Sequence, residues 1–127
     1  MREILFRGKQ ADNEKWVIGY LSSKHTITIQ TPCGHMDEIV ICADTVGQYT
    51  GLKDKNGKRI FEGDVAKVLQ GKDKDIAYVG FENGAFMLYP KTGNIYERTL
   101  CGYWYNDWDV EVIGNIHDNP ELLEQEG

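Results

Sequence analysis

His25-Thr26-Ile27-Thr28-Ile29-Gln30-Thr31 is the stretch that decides the fold class. Ile27 and Ile29 point one way, Thr26, Thr28 and Gln30 the other, and a period of two is that of a half-exposed β-strand. Before it, Ile4-Leu5-Phe6 opens a short strand that Arg7-Gly8 ends. Trp16-Val17-Ile18-Gly19-Tyr20-Leu21 is an apolar run too short for a helix and reads as a strand buried on both faces. After it, Pro32-Cys33-Gly34-His35 turns the chain into a further strand, Glu38-Ile39-Val40-Ile41-Cys42. The N-terminal section is therefore expected to be a β-meander.

The texture then changes. Ala43-Asp44-Thr45-Val46 predicts a single helical turn, and Gly47 to Leu52 an extended segment. In Lys53-Asp54-Lys55-Asn56-Gly57-Lys58 the Asn-Gly pair is suited to the positive φ angles of a tight hairpin. Val65 to Leu69 reads as a strand, and Ile76–Phe81 pairs with Ala85–Tyr89 across a second such turn, Glu82-Asn83-Gly84. Ile95 to Leu100 predicts a strand or short helix, and Val110 to Ile116 the last strand. Asn119 is placed to cap a short helix with Pro120 at its first position, docked by Leu122 and Leu123. Turns roughly every ten residues with one short helix indicate a small barrel or packed sheets.

At 127 residues the chain suits one domain, 1–127, with a single core. Its apolar runs all fall short of a membrane-spanning helix, and Met1-Arg2-Glu3-Ile4-Leu5-Phe6-Arg7 meets charge too early for a signal peptide, so a cytoplasmic location is expected. Three cysteines fit free thiols in a reducing compartment. The net charge of −6 is unevenly spread. Lys53 to Lys74 carries a basic excess, whereas Tyr103 to Gly127 has no Lys or Arg. An acidic whole disfavours unspecific affinity for nucleic acid; the polarity reads first as a pair of solvated faces, and as an alternative allows self-association, basic end to acidic end.

Two segments go further than pattern. Thr45-Val46-Gly47-Gln48-Tyr49-Thr50-Gly51-Leu52-Lys53-Asp54-Lys55-Asn56-Gly57-Lys58, running into Ile60-Phe61-Glu62-Gly63-Asp64-Val65, resembles the signature of the YopX family. Val112-Ile113-Gly114-Asn115-Ile116-His117-Asp118-Asn119-Pro120-Glu121-Leu122-Leu123 resembles its closing motif, and Phe6-Arg7-Gly8 with Trp16-Val17-Ile18-Gly19-Tyr20 its opening strands. The resemblance implies a small bacteriophage or prophage protein, mainly β: an N-terminal β section over 1–46 and an SH3-like barrel over 47–127, with a tendency to form homo-oligomers. It carries over no catalytic residue, no cofactor and no established role. Turn chemistry accounts for the motifs. Gly63 is expected at positive φ, with Asp64 accepting nearby backbone N–H groups.

Cys33, His35 and Cys42, with His25 across a hairpin, lack the paired spacing of a zinc site, and Cys42 reads as a packed, inward thiol. Cys101, His117 and Asp118 carry no local catalytic signature, so the chain reads as a non-enzyme. The leading interface candidate is the aromatic cluster Tyr103, Trp104, Tyr105 and Trp108, whose rings would alternatively fold back to close the barrel core. The basic hairpin Lys53, Lys55, Lys58 and Arg59 is the alternative, as a contact to a nucleic-acid backbone. The expectation is a binding or assembly module acting through protein contacts.

Overall fold

The computed structural model describes residues 4–70, 72–92, 98–99 and 109–124, with only the backbone of Gln70, Arg98 and Thr99. The chain is mainly β and antiparallel, with eleven described strands in two compact units that meet in sequence at Gly51 and Leu52.

The first unit is the predicted meander. β1 (Phe6–Lys9), β2 (Trp16–Ser23), β3 (Thr26–Gln30) and β4 (Met36–Val40) pair in succession, and after a 3-10 turn at Ala43–Thr45, β5 (Gly47–Lys53) returns beside β1. The alternation of β3 is realised, with Ile27 fully buried and aligned on Leu21 and Ile39. Phe6, Gly19, Ile27 and Ile41 share this inner face, and Gly19 is required there by close approach. A Cβ on it would stand 2.4 Å from the carbonyl oxygen of Thr28 and 2.9 Å from the Ile27 side chain. The sheet curls until Gln10 bridges Ile41, where the Ala11 N–H donates to the Val40 carbonyl (3.0 Å) and the Cys42 N–H to that of Lys9 (2.8 Å).

Two expectations fail here. The run Trp16–Leu21 is not buried on both faces, because Ile18, Tyr20 and Leu21 are exposed and only Gly19 is buried. Cys42 is exposed rather than packed inside; Ile41 takes the inward position at 2% exposure, and strand alternation turns the next residue out.

In the second unit β5 runs on into β6 (Arg59–Phe61). β7 (Asp64–Gln70), β8 (Asp73–Glu82), β9 (Ala85–Pro90), β10 (Arg98–Thr99) and β11 (Asp109–Asn115) form a five-stranded sheet in the order β10-β9-β8-β7-β11. Ile60, Ala66, Val68, Ala77, Val79, Leu88, Val110 and Val112 make its core, with Leu52 and Phe86 packed against them. Among the described residues no pairing joins β10 to β11, so they show an open five-stranded sheet and not a complete SH3-like barrel over 47–127.

Four polar side chains organise the turns of this unit. Asp54 Oδ1 accepts the N–H groups of Asn56 and Lys58, both at 2.9 Å, while Oδ2 accepts that of Val112 on β11 at 2.9 Å. Only Gly57 of the Asn56-Gly57 pair takes positive φ (+83°), since Asp54 already holds the turn. The Asn83-Gly84 turn has both residues at positive φ, as a two-residue hairpin requires. Asp64 accepts the Phe61 N–H at 2.8 Å, closing a turn in which Gly63 adopts φ +91°. Gly63 is stitched on both sides: its N–H donates to the Val79 carbonyl, and its carbonyl accepts from Ile116, each at 2.8 Å. Asn115 Oδ1 accepts from the backbone of His117 and Asp118, and Asn119 Oδ1 accepts from the Asn115 N–H at 3.2 Å. That commitment is why Asn119 does not cap the following turn, which is a 3-10 turn over Pro120–Leu123 instead of an α-helix. Leu122 docks on Gly114.

Burial pushes the Asp54 carboxyl pKa up, but the N–H groups of Val112, Lys58 and Asn56 and the Lys58 ammonium outweigh it and hold the group below its ordinary 3.8. A depressed native pKa stabilises the fold above the unfolded value and is lost as pH falls through the native one. Asp54→Asn should therefore destabilise by roughly 1.5–3 kcal/mol near neutral pH, the scale of hydrogen bonds to a charged group. In urea titrations the gap to wild type should stay constant from about pH 5 to 7 and narrow below 3.8. Gly19→Ala should cost about 1–3 kcal/mol through overpacking against the Thr28 carbonyl. Gly34→Ala meets only the penalty of its φ of +90° in open space, about 1 kcal/mol, so thermal melts should rank Gly19→Ala as the more damaging.

Candidate functional site

The most exposed apolar ground described on the protein is the outer face of the first unit's sheet. Register places its residues: Arg7 aligns with Ile18, Tyr20 with Thr28 and then Glu38, Thr26 with Val40, and Gln30 with Met36. These residues therefore share one face. Ile18 is 43% exposed, Tyr20 59%, Met36 57% and Val40 59%. Two come from β2 and two from β4, on either side of the threonines of β3. At the β1 end the same face is closed: Arg7 is buried with its guanidinium 4.7 Å from the centre of the Trp16 ring, and Lys9 reaches that ring as well.

β-branched and aromatic side chains on a strand are stiff, so ordering them against a partner costs little rotamer entropy. Exposed Tyr and Met are enriched in contact surfaces, and Glu38 and Gln30 supply polar groups beside them. Sequence reading missed this face because it assigned Trp16–Leu21 to a doubly buried strand. The signal was present in Ser22, Ser23 and Lys24, which follow the run at once and mark its end as solvated.

The predicted site residues are placed as follows. Lys53, Lys55 and Lys58 are exposed around the β5–β6 turn, whereas Arg59 is half-buried. Lys55 is paired with Glu111 at 3.3 Å, and its N–H donates to the Val110 carbonyl at 3.0 Å. Tyr103, Trp104, Tyr105 and Trp108, together with Cys101, lie outside the described residues. His25, Cys33 and His35 are exposed, and among the described residues no three of His, Cys, Asp and Glu gather as a metal-holding group. His117 is half-buried in the turn after β11, close to Gly63. No helix among the described residues is long and apolar enough to cross a membrane.

On the second unit's outward side, the Tyr89 ring lies across Gly80, where a Cβ would come within 2.5 Å of it. Its hydroxyl donates to Glu82 at 2.6 Å, and Tyr78 stacks against it at a tilt, 5.1 Å between ring centres. This pair covers a glycine and is held by its own hydrogen bond, a structural use of aromatic surface.

Comparison with known proteins agrees with the arrangement of the strands. The chain is 29% identical over 96 residues, 71% of each chain, to the SPbeta prophage-derived uncharacterized protein YopX of Bacillus subtilis (strain 168). The crystal structure of that YopX protein matches with a TM-score of 0.58 at 18% identity, covering all of both chains. Protein EF1440 from Enterococcus faecalis matches with a TM-score of 0.57 at 24% identity, over 98% of this chain and all of that one. The family model described as YopX protein matches residues 5–124, and the chain belongs to the YopX family.

Proposed function

We propose that the protein is a non-enzymatic binding or assembly module acting through protein contacts, self or foreign, with the outer face of β2, β3 and β4 as its contact surface. The observation that supports this reading is the row of large apolar side chains, Ile18, Tyr20, Met36 and Val40, held in solvent on a strand scaffold. Fully burying one such side chain is worth about 1.5–3 kcal/mol. Four of them together can supply the core of a specific contact, with polar groups at the margin. A prophage origin for the family fits a small adaptor that works on other proteins of the phage or host.

The nucleic-acid reading of the basic hairpin has less support. Lys55 already shares its charge with Glu111, and the chain as a whole carries −6. A gel-shift titration at low salt with duplex and single strands should show no band that Lys53→Glu/Lys58→Glu removes.

The protein-contact reading is tested with the double variant Ile18→Ser/Tyr20→Ser, whose side chains lie outside the core. Light scattering at low and high salt should give wild type a mass above one chain, or affinity capture should retain a defined partner; the double variant should lose either by about tenfold or more. Its thermal melt should stay that of wild type. A wild-type protein that is monomeric in both salts and retains no partner overturns the reading.

A further inference from the structure

We propose that the outer edge of β4 is a strand-addition site for an extended, basic segment of a partner chain, with an apolar residue and a Lys or Arg two positions apart. The inference rests on the protein-contact reading above and names where the partner enters and what chemistry it brings. Among the described residues β4 is the last strand of its sheet. The bonds from the Ile41 N–H to the His25 carbonyl and from the Thr31 N–H to the His35 carbonyl, each 2.8 Å, fix which residues face β3. With the unbroken register between them, residues 37 and 39 spend their backbone groups on β3, whereas Met36 and Glu38 turn theirs outward. At the far end the edge is already used, because the Val40 carbonyl accepts from Ala11. The open length is therefore short and ends where the Gln10–Asp12 turn leaves the sheet. There a groove of about 350 Å³ is lined by Gln10, Ala11, Asp12, Glu38, Ile39 and Val40.

The side chains along this edge set the occupant. Met36, Glu38 and Val40 alternate onto the outer face, apolar, anionic, apolar, and all three are exposed. A strand laid beside the open length of β4 places its residues i and i+2 next to Met36 and Glu38, whichever way it runs, and stops short of Val40, whose edge Ala11 occupies. An apolar residue beside Met36 and a cationic one beside Glu38 match, whereas an acidic residue beside Glu38 would face that carboxylate with Asp12 in the same groove. Charged side chains on an edge usually guard it against pairing. Here both charges that line the groove are negative, so they turn away neutral and acidic strands while favouring a cationic one. Main-chain bonds at Met36 and Glu38 would then supply the docking, as in other cases of strand addition.

The test uses the full chain and two synthetic peptides, Ile-Thr-Lys-Thr-Ile and Ile-Thr-Glu-Thr-Ile with identical neutral flanks, read by calorimetric titration and amide NMR. The lysine peptide should bind about tenfold tighter than the glutamate peptide, the size expected from exchanging an opposite for a like cross-strand charge pair. The Met36 and Glu38 amides should shift and gain exchange protection. Glu38→Lys should invert the preference. Glu38→Pro, which removes an N–H that β3 does not use, should weaken the lysine peptide about tenfold with an unchanged melt. Absent binding, equal binding of the two peptides, perturbation confined to other residues, or a preference unmoved by Glu38→Lys each overturns the proposal. If Glu38→Lys leaves partner capture intact while Ile18→Ser/Tyr20→Ser abolishes it, the edge fails and the protein-contact reading stands.

Discussion

The second unit depends on one carboxylate. Asp54 accepts three backbone N–H groups, two within its own turn and one from Val112, 58 residues on. Turn and sheet are thereby made interdependent: the β5–β6 hairpin cannot take its shape without presenting Oδ2 to β11, and β11 cannot satisfy Val112 without the hairpin. An ionised aspartate suits this position because it only accepts, whereas an amide would aim a donor at one of three donors. The Phe61–Asp64 turn repeats the strategy, with Asp64 inside it and Gly63 bonded to β8 on one side and to the chain after β11 on the other. Asn115 and Asn119 finish the same strand. Residues that look from the sequence like a family signature are thus the polar fastenings of this sheet, whose turns would otherwise leave buried backbone groups unpaired.

The first unit holds together differently. Its interior relies on steric fit, with Gly19 admitting the Thr28 carbonyl and Ile27 and Ile41 filling the curl. A single layer of strands has two faces, and this one turns inward only the face that carries Gly19 and Ile27. The outer face keeps Ile18, Tyr20, Met36 and Val40 in solvent, and among the described residues β4 keeps an open edge at Met36 and Glu38. The contrast separates the roles proposed for the two units: polar groups of the second are spent on its own turns, whereas apolar side chains and edge backbone of the first are left to be matched by something else.

Much of the architecture was legible in the chain. Clean alternation in Thr26–Gln30, the Asn83-Gly84 turn, the positive φ of Gly63 and the helical turn at Ala43–Thr45 all rest on forces acting within a few residues, and each is realised. The contact surface was not legible in the same way. An apolar run such as Trp16–Leu21 reads identically whether one or two layers cover it, and the count of layers is not a local property. The aromatic cluster from Tyr103 to Trp108 lies outside the described residues, whereas Tyr20 sits in a run that reads as buried and yet is exposed, as is Met36.

By itself the sequence determined the β character, the placing of most turns and the family, because periodicity, turn chemistry and motif spacing are short-range and survive without a partner strand. Tertiary structure alone decided that Asp54 reaches Val112, that the second sheet is left open among the described residues, and which face of β2 meets water. Each of these depends on what lies opposite a residue in space, and strand pairing across tens of residues sets that.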